Sequence, residues 1–169
     1  MKAYVLKSYS YNKVLFALMF ITACMFFASQ IAYGAGTSRK SSSAPQDSRK
    51  KADPYFDSGE RLQKAHRYKE ASAEYEKAVR IDGTYAEAHS NLGYTYRKQG
   101  LFEKAVKSYK TAIELNPKLA EAHEYLGEAY AEMGKFEEAE NELKILRELG
   151  SDEAAELGEF IRKIKTAKG

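Results

Sequence analysis

Apolar positions along this chain follow two different patterns. Residues 14–33, VLFALMFITACMFFASQIAY, form one uncharged apolar run behind a stretch carrying Lys2, Lys7 and Lys13. From residue 52 onward, apolar residues instead fall at helical spacing between charged ones, and that pattern itself recurs. Residues 86–119 and 120–153 both open Ala-Glu-Ala-His; Leu92-Gly93 aligns with Leu126-Gly127, Tyr96 with Tyr130, Gly100 with Gly134, Phe102 with Phe136 and Ala105 with Ala139. Each pair lies 34 residues apart. A weaker copy occupies 52–85, carrying Ser58-Gly59, Leu62, Tyr68, Ala71, Tyr75 and Ala78. A final stripe, Ala154, Leu157, Phe160, Ile161 and Ile164, keeps helical spacing to the end of the chain. Three helical hairpins and a seventh helix follow from these positions.

The residue types suit hairpins that stack. Close crossing of two helices requires small side chains, so Gly93 and Gly127 are expected to face Ala105 and Ala139 of the second helices. Tyr96, Tyr109 and Tyr130 are expected to fill the space around the crossings. Gly100 and Gly134 end the first helices, because glycine adopts the left-handed conformation without a Cβ clash. Pro117 stops the second helix of the middle copy. One hairpin cannot bury its own apolar face, so at least three must stack and the last must be covered. Ser151-Asp152-Glu153 is a helix-start signal for the covering segment, with Glu156, Glu159, Arg162, Lys163 and Lys165 expected on its outside.

These residues resemble the tetratricopeptide-repeat (TPR) family. The family pattern asks for Leu-Gly at positions 7 and 8, Tyr at 11, Ala at 20, an aromatic at 24, Ala at 27 and often Pro at 32. The middle copy supplies Leu92, Gly93, Tyr96, Ala105, Tyr109, Ala112 and Pro117. It departs with His89 at position 4, as does His123 in the third copy; Ser58, Gly83, Leu143 and Leu146 also depart. The resemblance implies an all-α fold, a TPR-type solenoid of helical hairpins. Its repeats would span 52–85, 86–119 and 120–153, with a C-terminal capping helix over 154–169.

Charge divides the chain. The formal net charge is +3, yet residues 52–153 hold 21 acidic against 15 basic side chains. A repeat region of that sign lacks the concentrated basic face that nucleic acid requires. Residues 1–34 have the layout of an export signal, a positive start followed by an apolar segment. Three fates stay open for it. Cleavage after Ala32-Tyr33-Gly34 is favoured; an uncleaved anchor over 14–33 comes next, since about 20 residues span a bilayer core. Lipidation of Cys24 comes third, because Ile21-Thr22-Ala23-Cys24 resembles a degenerate lipoprotein box. Residues 35–51, Ser-rich and basic, read as a flexible linker. The expected location is therefore extracytoplasmic, periplasmic or membrane-anchored.

No catalytic motif, metal cluster or cofactor loop is present, so neither enzyme activity nor a cofactor is expected. His66, His89 and His123 are expected to pack. Family resemblance places a peptide-binding groove on the first helix of each hairpin. Its lining would be Phe56, Glu60 and Lys64, then Asn91, Tyr94, Arg97 and Lys98, then Glu121, Glu124, Tyr125, Glu128 and Glu132. The four glutamates share one helical face, and clustered carboxylates favour a basic partner. TPR domains that grip acidic chaperone tails use a clamp of Lys, Asn and Arg; the matching positions here hold Phe56, Glu60, Asn91, Glu121 and Tyr125, of which only Asn91 fits. A protein or peptide partner with a basic segment is the expectation, and a homo-oligomer is compatible with it. An exported scaffold leads; a membrane-tethered assembly factor, resembling the TPR lipoproteins of pilus and secretion machines, and a secretion chaperone are the alternatives.

Overall fold

A computed structural model describes residues 45–168 of the chain. The apolar run 14–33, Cys24, the signal or anchor reading of 1–34 and the linker up to residue 44 lie outside the described residues. Among the described residues seven helices follow one another: α1 (Pro45–Lys64), α2 (Tyr68–Ile81), α3 (Ala86–Lys98), α4 (Phe102–Leu115), α5 (Ala120–Glu132), α6 (Phe136–Leu149) and α7 (Glu153–Lys168). None among the described residues is long and apolar enough to cross a membrane. Helices α1–α2, α3–α4 and α5–α6 pair as hairpins; α2 packs on α3 and α4 on α5, stacking hairpin on hairpin. The first helices also touch one another, α1 with α3 and α3 with α5, and form one side of the stack. Helix α7 lies against both α5 and α6. The result is an all-α solenoid.

The core repeats with the sequence. Ala71, Tyr75 and Ala78 of α2, Ala105, Tyr109 and Ala112 of α4, and Ala139, Leu143 and Leu146 of α6 are all buried. Gly100 (φ +75°) and Gly134 (φ +78°) end α3 and α5 in the left-handed conformation. The next N–H groups, of Leu101 and Lys135, return to the Tyr96 and Tyr130 carbonyls at 2.9 and 2.8 Å, which satisfies otherwise orphaned acceptors. His66 holds the same place after α1 at φ 56°, with Arg67 N–H donating to the Leu62 carbonyl at 2.9 Å. The turn geometry survives there without glycine, at the steric cost of a Cβ in left-handed backbone.

Two expectations are corrected. The first helix begins at Pro45, so residues 45–51, read as linker, are helical. Tertiary contacts supply the reason. Arg49 Nε donates to Asp82 Oδ2 at 2.9 Å while its guanidinium lies 3.4 Å over the Tyr85 ring, and Ala52 is fully buried. The second correction concerns the small residues. A Cβ on Gly93 would meet the Tyr109 ring at 2.7 Å, and one on Gly59 would meet Tyr75 at 2.6 Å; the glycines clear space for aromatic rings rather than for Ala105. The third repeat lacks that ring, having Leu143 in its place. There a Cβ on Gly127 would meet Leu157 of α7 at 2.5 Å. The covering helix thus fills a hole that the repeat's own second helix leaves.

The histidines at position 4 join repeats together. His89 Nε2 lies 3.2 Å from the Gly83 carbonyl and His123 Nε2 lies 3.1 Å from the Pro117 carbonyl, each reaching six residues back to the preceding loop. His123 Nδ1 also lies 2.7 Å from Glu142 Oε2 of α6. A carbonyl and a carboxylate both accept, so this ring must donate from both nitrogens, as only imidazolium does. The Glu142 hydrogen bond accordingly holds the His123 pKa above its ordinary value of 6.5. A raised histidine pKa means the folded state binds the proton more tightly. Its contribution is fully present below about 6.5 and is lost as pH rises through the folded value. Urea unfolding at about pH 5.5 and pH 8.5 checks this: His123→Gln is expected to be less stable than wild type by roughly 1–3 kcal/mol at the lower pH, with the gap narrowing at the higher. An equal gap at both would show that the ring does not titrate there.

Candidate functional site

The face formed by α1, α3 and α5 carries the residues that the repeat register assigns to the groove, and packing sorts them. Phe56 is only partly exposed. Its ring stacks on Tyr85 (centroids 4.8 Å apart, 20° between planes) and tilts onto Tyr75 at 5.7 Å. It therefore binds α1 to α2 and α3, and offers a ligand only an edge. Glu60 is half-buried and Lys64 exposed on the same helix. Asn91 is buried next to the Tyr75 hydroxyl, which donates to Gln63 Oε1 at 3.1 Å.

A ladder of tyrosines crosses the middle of this face. Tyr68 lies 6.2 Å from Tyr94, Tyr94 lies 5.2 Å from Tyr125, and Tyr125 lies 6.1 Å from the buried Tyr109 ring. Tyr94 and Tyr125 are both partly exposed, and the exposed Lys98 holds its Nζ 5.1 Å from the Tyr94 centroid. Such rings give a ligand rigid apolar area, while their hydroxyls remain available to hydrogen-bond.

Arg97 does not line the surface. It is 5% exposed, with Nη1 donating to Glu132 Oε1 at 2.9 Å and Nη2 paired with Glu128 Oε2. Both partners sit on α5, so this cluster ties the second repeat to the third. Burial pushes the Glu128 carboxyl up, while Arg97 and then Lys98 pull it back. Half of the expected anionic row is consequently neutralised inside the protein, a pairing that the spacing of the glutamates on one helix does not reveal.

The other half is not. Glu124 is 9% exposed, and the groups raising its carboxyl to about 7 are, after burial itself, Glu128, Glu156, Glu153 and Glu121. Glu153 and Glu156 belong to α7. Sequence periodicity put Glu156 on the outside of that helix, and it is exposed there, near enough to α5 for its charge to act on Glu124. The amphipathic pattern distinguishes the buried stripe from the rest but cannot say which flank of the stripe faces a neighbouring helix. Glu121 completes the group beside the Tyr125 hydroxyl, whose pKa is raised by burial and then by this carboxylate. Among the described residues, no group of three or more His, Cys, Asp or Glu side chains is arranged to hold a metal ion.

Comparison with known proteins adds to this geometry. A family model described as a TPR repeat matches residues 52–100 and again 93–134. No curated protein sequence matches the chain. Among solved structures, the first TPR domain of Spaghetti (RPAP3), bound to the HSP90 peptide SRMEEVD, is 26% identical with a TM-score of 0.63, covering 70% of this chain and 94% of that one. The Sgt2 TPR domain from Aspergillus fumigatus is 25% identical with a TM-score of 0.62, covering 70% of this chain and 82% of its own. The Yersinia enterocolitica type III secretion translocator chaperone SycD shares the fold alone, at 17% identity and a TM-score of 0.62, over 69% of this chain and 93% of that one. Hairpins repeating every 34 residues, the Ala and Tyr core positions and these matches lead to one conclusion: the chain belongs to the tetratricopeptide-repeat family.

Proposed function

We propose that this protein is an exported, non-enzymatic interaction module that binds a peptide segment of a partner protein along the α1–α3–α5 face. The observation that carries the reading is the partly exposed pair Tyr94 and Tyr125, 5.2 Å apart on adjacent first helices. Rigid, partly wet aromatic rings are the residues that most often dominate peptide and protein contacts. The Spaghetti (RPAP3) domain is similar in fold and was solved with a peptide ending Glu-Glu-Val-Asp. This chain presents Phe56, Glu60, Glu121 and Tyr125 where the clamp for such tails needs Lys, Asn and Arg. Its ligand is therefore of different charge, neutral or basic. Export rests on the apolar run 14–33 behind three lysines. That same run and Cys24 support a second form of the reading, in which the module stays tethered at a membrane as an assembly factor.

Photo-crosslinkers placed at Lys98, on the groove, and at Lys110, exposed on α4, distinguish the faces. A partner is expected from position 98 and not from 110. Tyr94→Ala is expected to reduce that crosslinking about tenfold, the scale of a lost aromatic anchor. Equal yields from both positions would count against the groove. Membrane retention and the N-terminal sequence of the mature chain check export and tethering.

A further inference from the structure

We infer that the crossing of α5 and α7 forms a socket for one cationic side chain, a lysine or arginine of the partner segment, seated against Glu124. This rests on the groove reading above and adds what its acidic end recognises. The usual expectation for a cluster of glutamates is solvation, with each carboxylate facing water. Glu124 departs from that, being nine-tenths buried as a residue with neither a hydrogen bond nor an ion pair to the protein, while its carboxylate oxygens stay within reach of solvent and of an incoming group.

The charged groups around it are accounted for helix by helix. On its own helix it faces Glu121 and Glu128. Helix α7 brings Glu153, engaged by the Ser151 hydroxyl, and Glu156. Helix α3 brings Arg97 and Lys98, which act on Glu128. Helix α4 contributes the uncharged Tyr109, beside Arg97 and Tyr125. Helix α6 contributes Glu142, taken up by His123. Four carboxylates thus influence Glu124 with no cation of its own. The repeat register explains the gap: position 12 is Arg97 in the second repeat but Ala131 in the third.

A buried anion without a counterion is costly, and the cost is relieved by a proton or by an incoming cation. Because the described side chains are not disposed to hold a metal, the fitting ligand is an ammonium or guanidinium group. Tyr125, next to Glu121, adds a ring face against which the alkyl stem of that side chain can lie. In the unliganded protein, burial and then the neighbouring carboxylates push the Glu124 carboxyl up to about 7. A bound cation favours its charged form, so binding releases a proton and weakens as pH falls below about 7.

The test uses the full-length chain and a phage-displayed library of random peptides selected at about pH 8. Selected peptides are expected to share a Lys or Arg at fixed distance from an apolar residue, and to lose about tenfold in affinity on Tyr94→Ala. Their affinity should fall as pH is lowered from about 8 to 6, with proton release in calorimetry. Glu124→Gln, which keeps shape and removes charge, should weaken binding about tenfold at the higher pH and abolish the pH dependence. Its unfolding midpoint, at or above wild type, checks that the variant folds. Peptides that need Tyr94 but share no cation, or that bind Glu124→Gln as well as wild type, would overturn the socket and leave the groove standing. Failure to select any peptide sensitive to Tyr94→Ala would overturn the groove reading and the socket with it.

Discussion

Arg97→Ala is expected to lower the unfolding free energy by about 3–5 kcal/mol near neutral pH, the range for removing one partner of a buried ion pair. The arginine side chain is 3% exposed and holds Glu128 and Glu132, whose side chains are 16% and 28% exposed. Truncation leaves Glu128 poorly hydrated and without its counterion, and opens space beneath Tyr94. The loss must shrink in acid. Burial already raises the Glu128 pKa, and removing Arg97 raises it further. An acid with a raised folded pKa destabilises only where it is ionised, so the deficit fades as pH falls through that value. Arg97→Met combined with Glu128→Gln removes both charges and should recover most of the lost stability, since a buried pair contributes little over well-packed neutral groups. Urea titrations of the two variants and the wild type across pH provide the measurement. A deficit under about 1 kcal/mol for Arg97→Ala would mean the cluster behaves as a solvated surface pair.

Leu157→Ala should cost about 2–5 kcal/mol, the range for truncating a fully buried leucine. Leu157 is 0% exposed and its methyls lie where a Gly127 Cβ would stand, taking the place that Tyr75 and Tyr109 occupy against Gly59 and Gly93. Loss of that side chain leaves a cavity between α5 and α7, and α7 then has only Ile161 fully buried to hold it. Amide exchange in α7 is expected to accelerate more than in α3 or α4, because solenoid contacts pass only between neighbours. Gly127→Ala attacks the same contact from the other side, by overpacking. Unchanged urea midpoints, or uniform exchange across all helices, would show that α7 is not what completes the third repeat.

These two residues also mark where reading the chain residue by residue reaches its limit. Arg97 looked like groove surface because position 12 of a first helix commonly faces outward. Gly127 looked like Gly93 because both follow leucine at position 7. Their partners differ because Arg97 meets glutamates 31 and 35 residues away, and because Leu143 replaces the aromatic that would have filled the third repeat. Phe56 fits the same account: its register marks the groove, while Tyr75 and Tyr85 cover its faces. The seven residues ahead of Ala52 carry no apolar stripe, and become helical through Arg49 reaching Asp82 and Tyr85.

The amino-acid sequence alone determined the hairpin period, the buried Ala and Tyr positions, the glycine turns at 100 and 134, and the need for a covering helix. Those features depend on interactions within one turn or one hairpin, whose geometry the 34-residue period repeats faithfully. Only the tertiary structure decided which glutamates are neutralised, which helix fills the third repeat, and that Glu124 is buried among like charges. Charge pairing and burial depend on which faces of distant helices come together, and a periodic pattern in one dimension leaves that choice open.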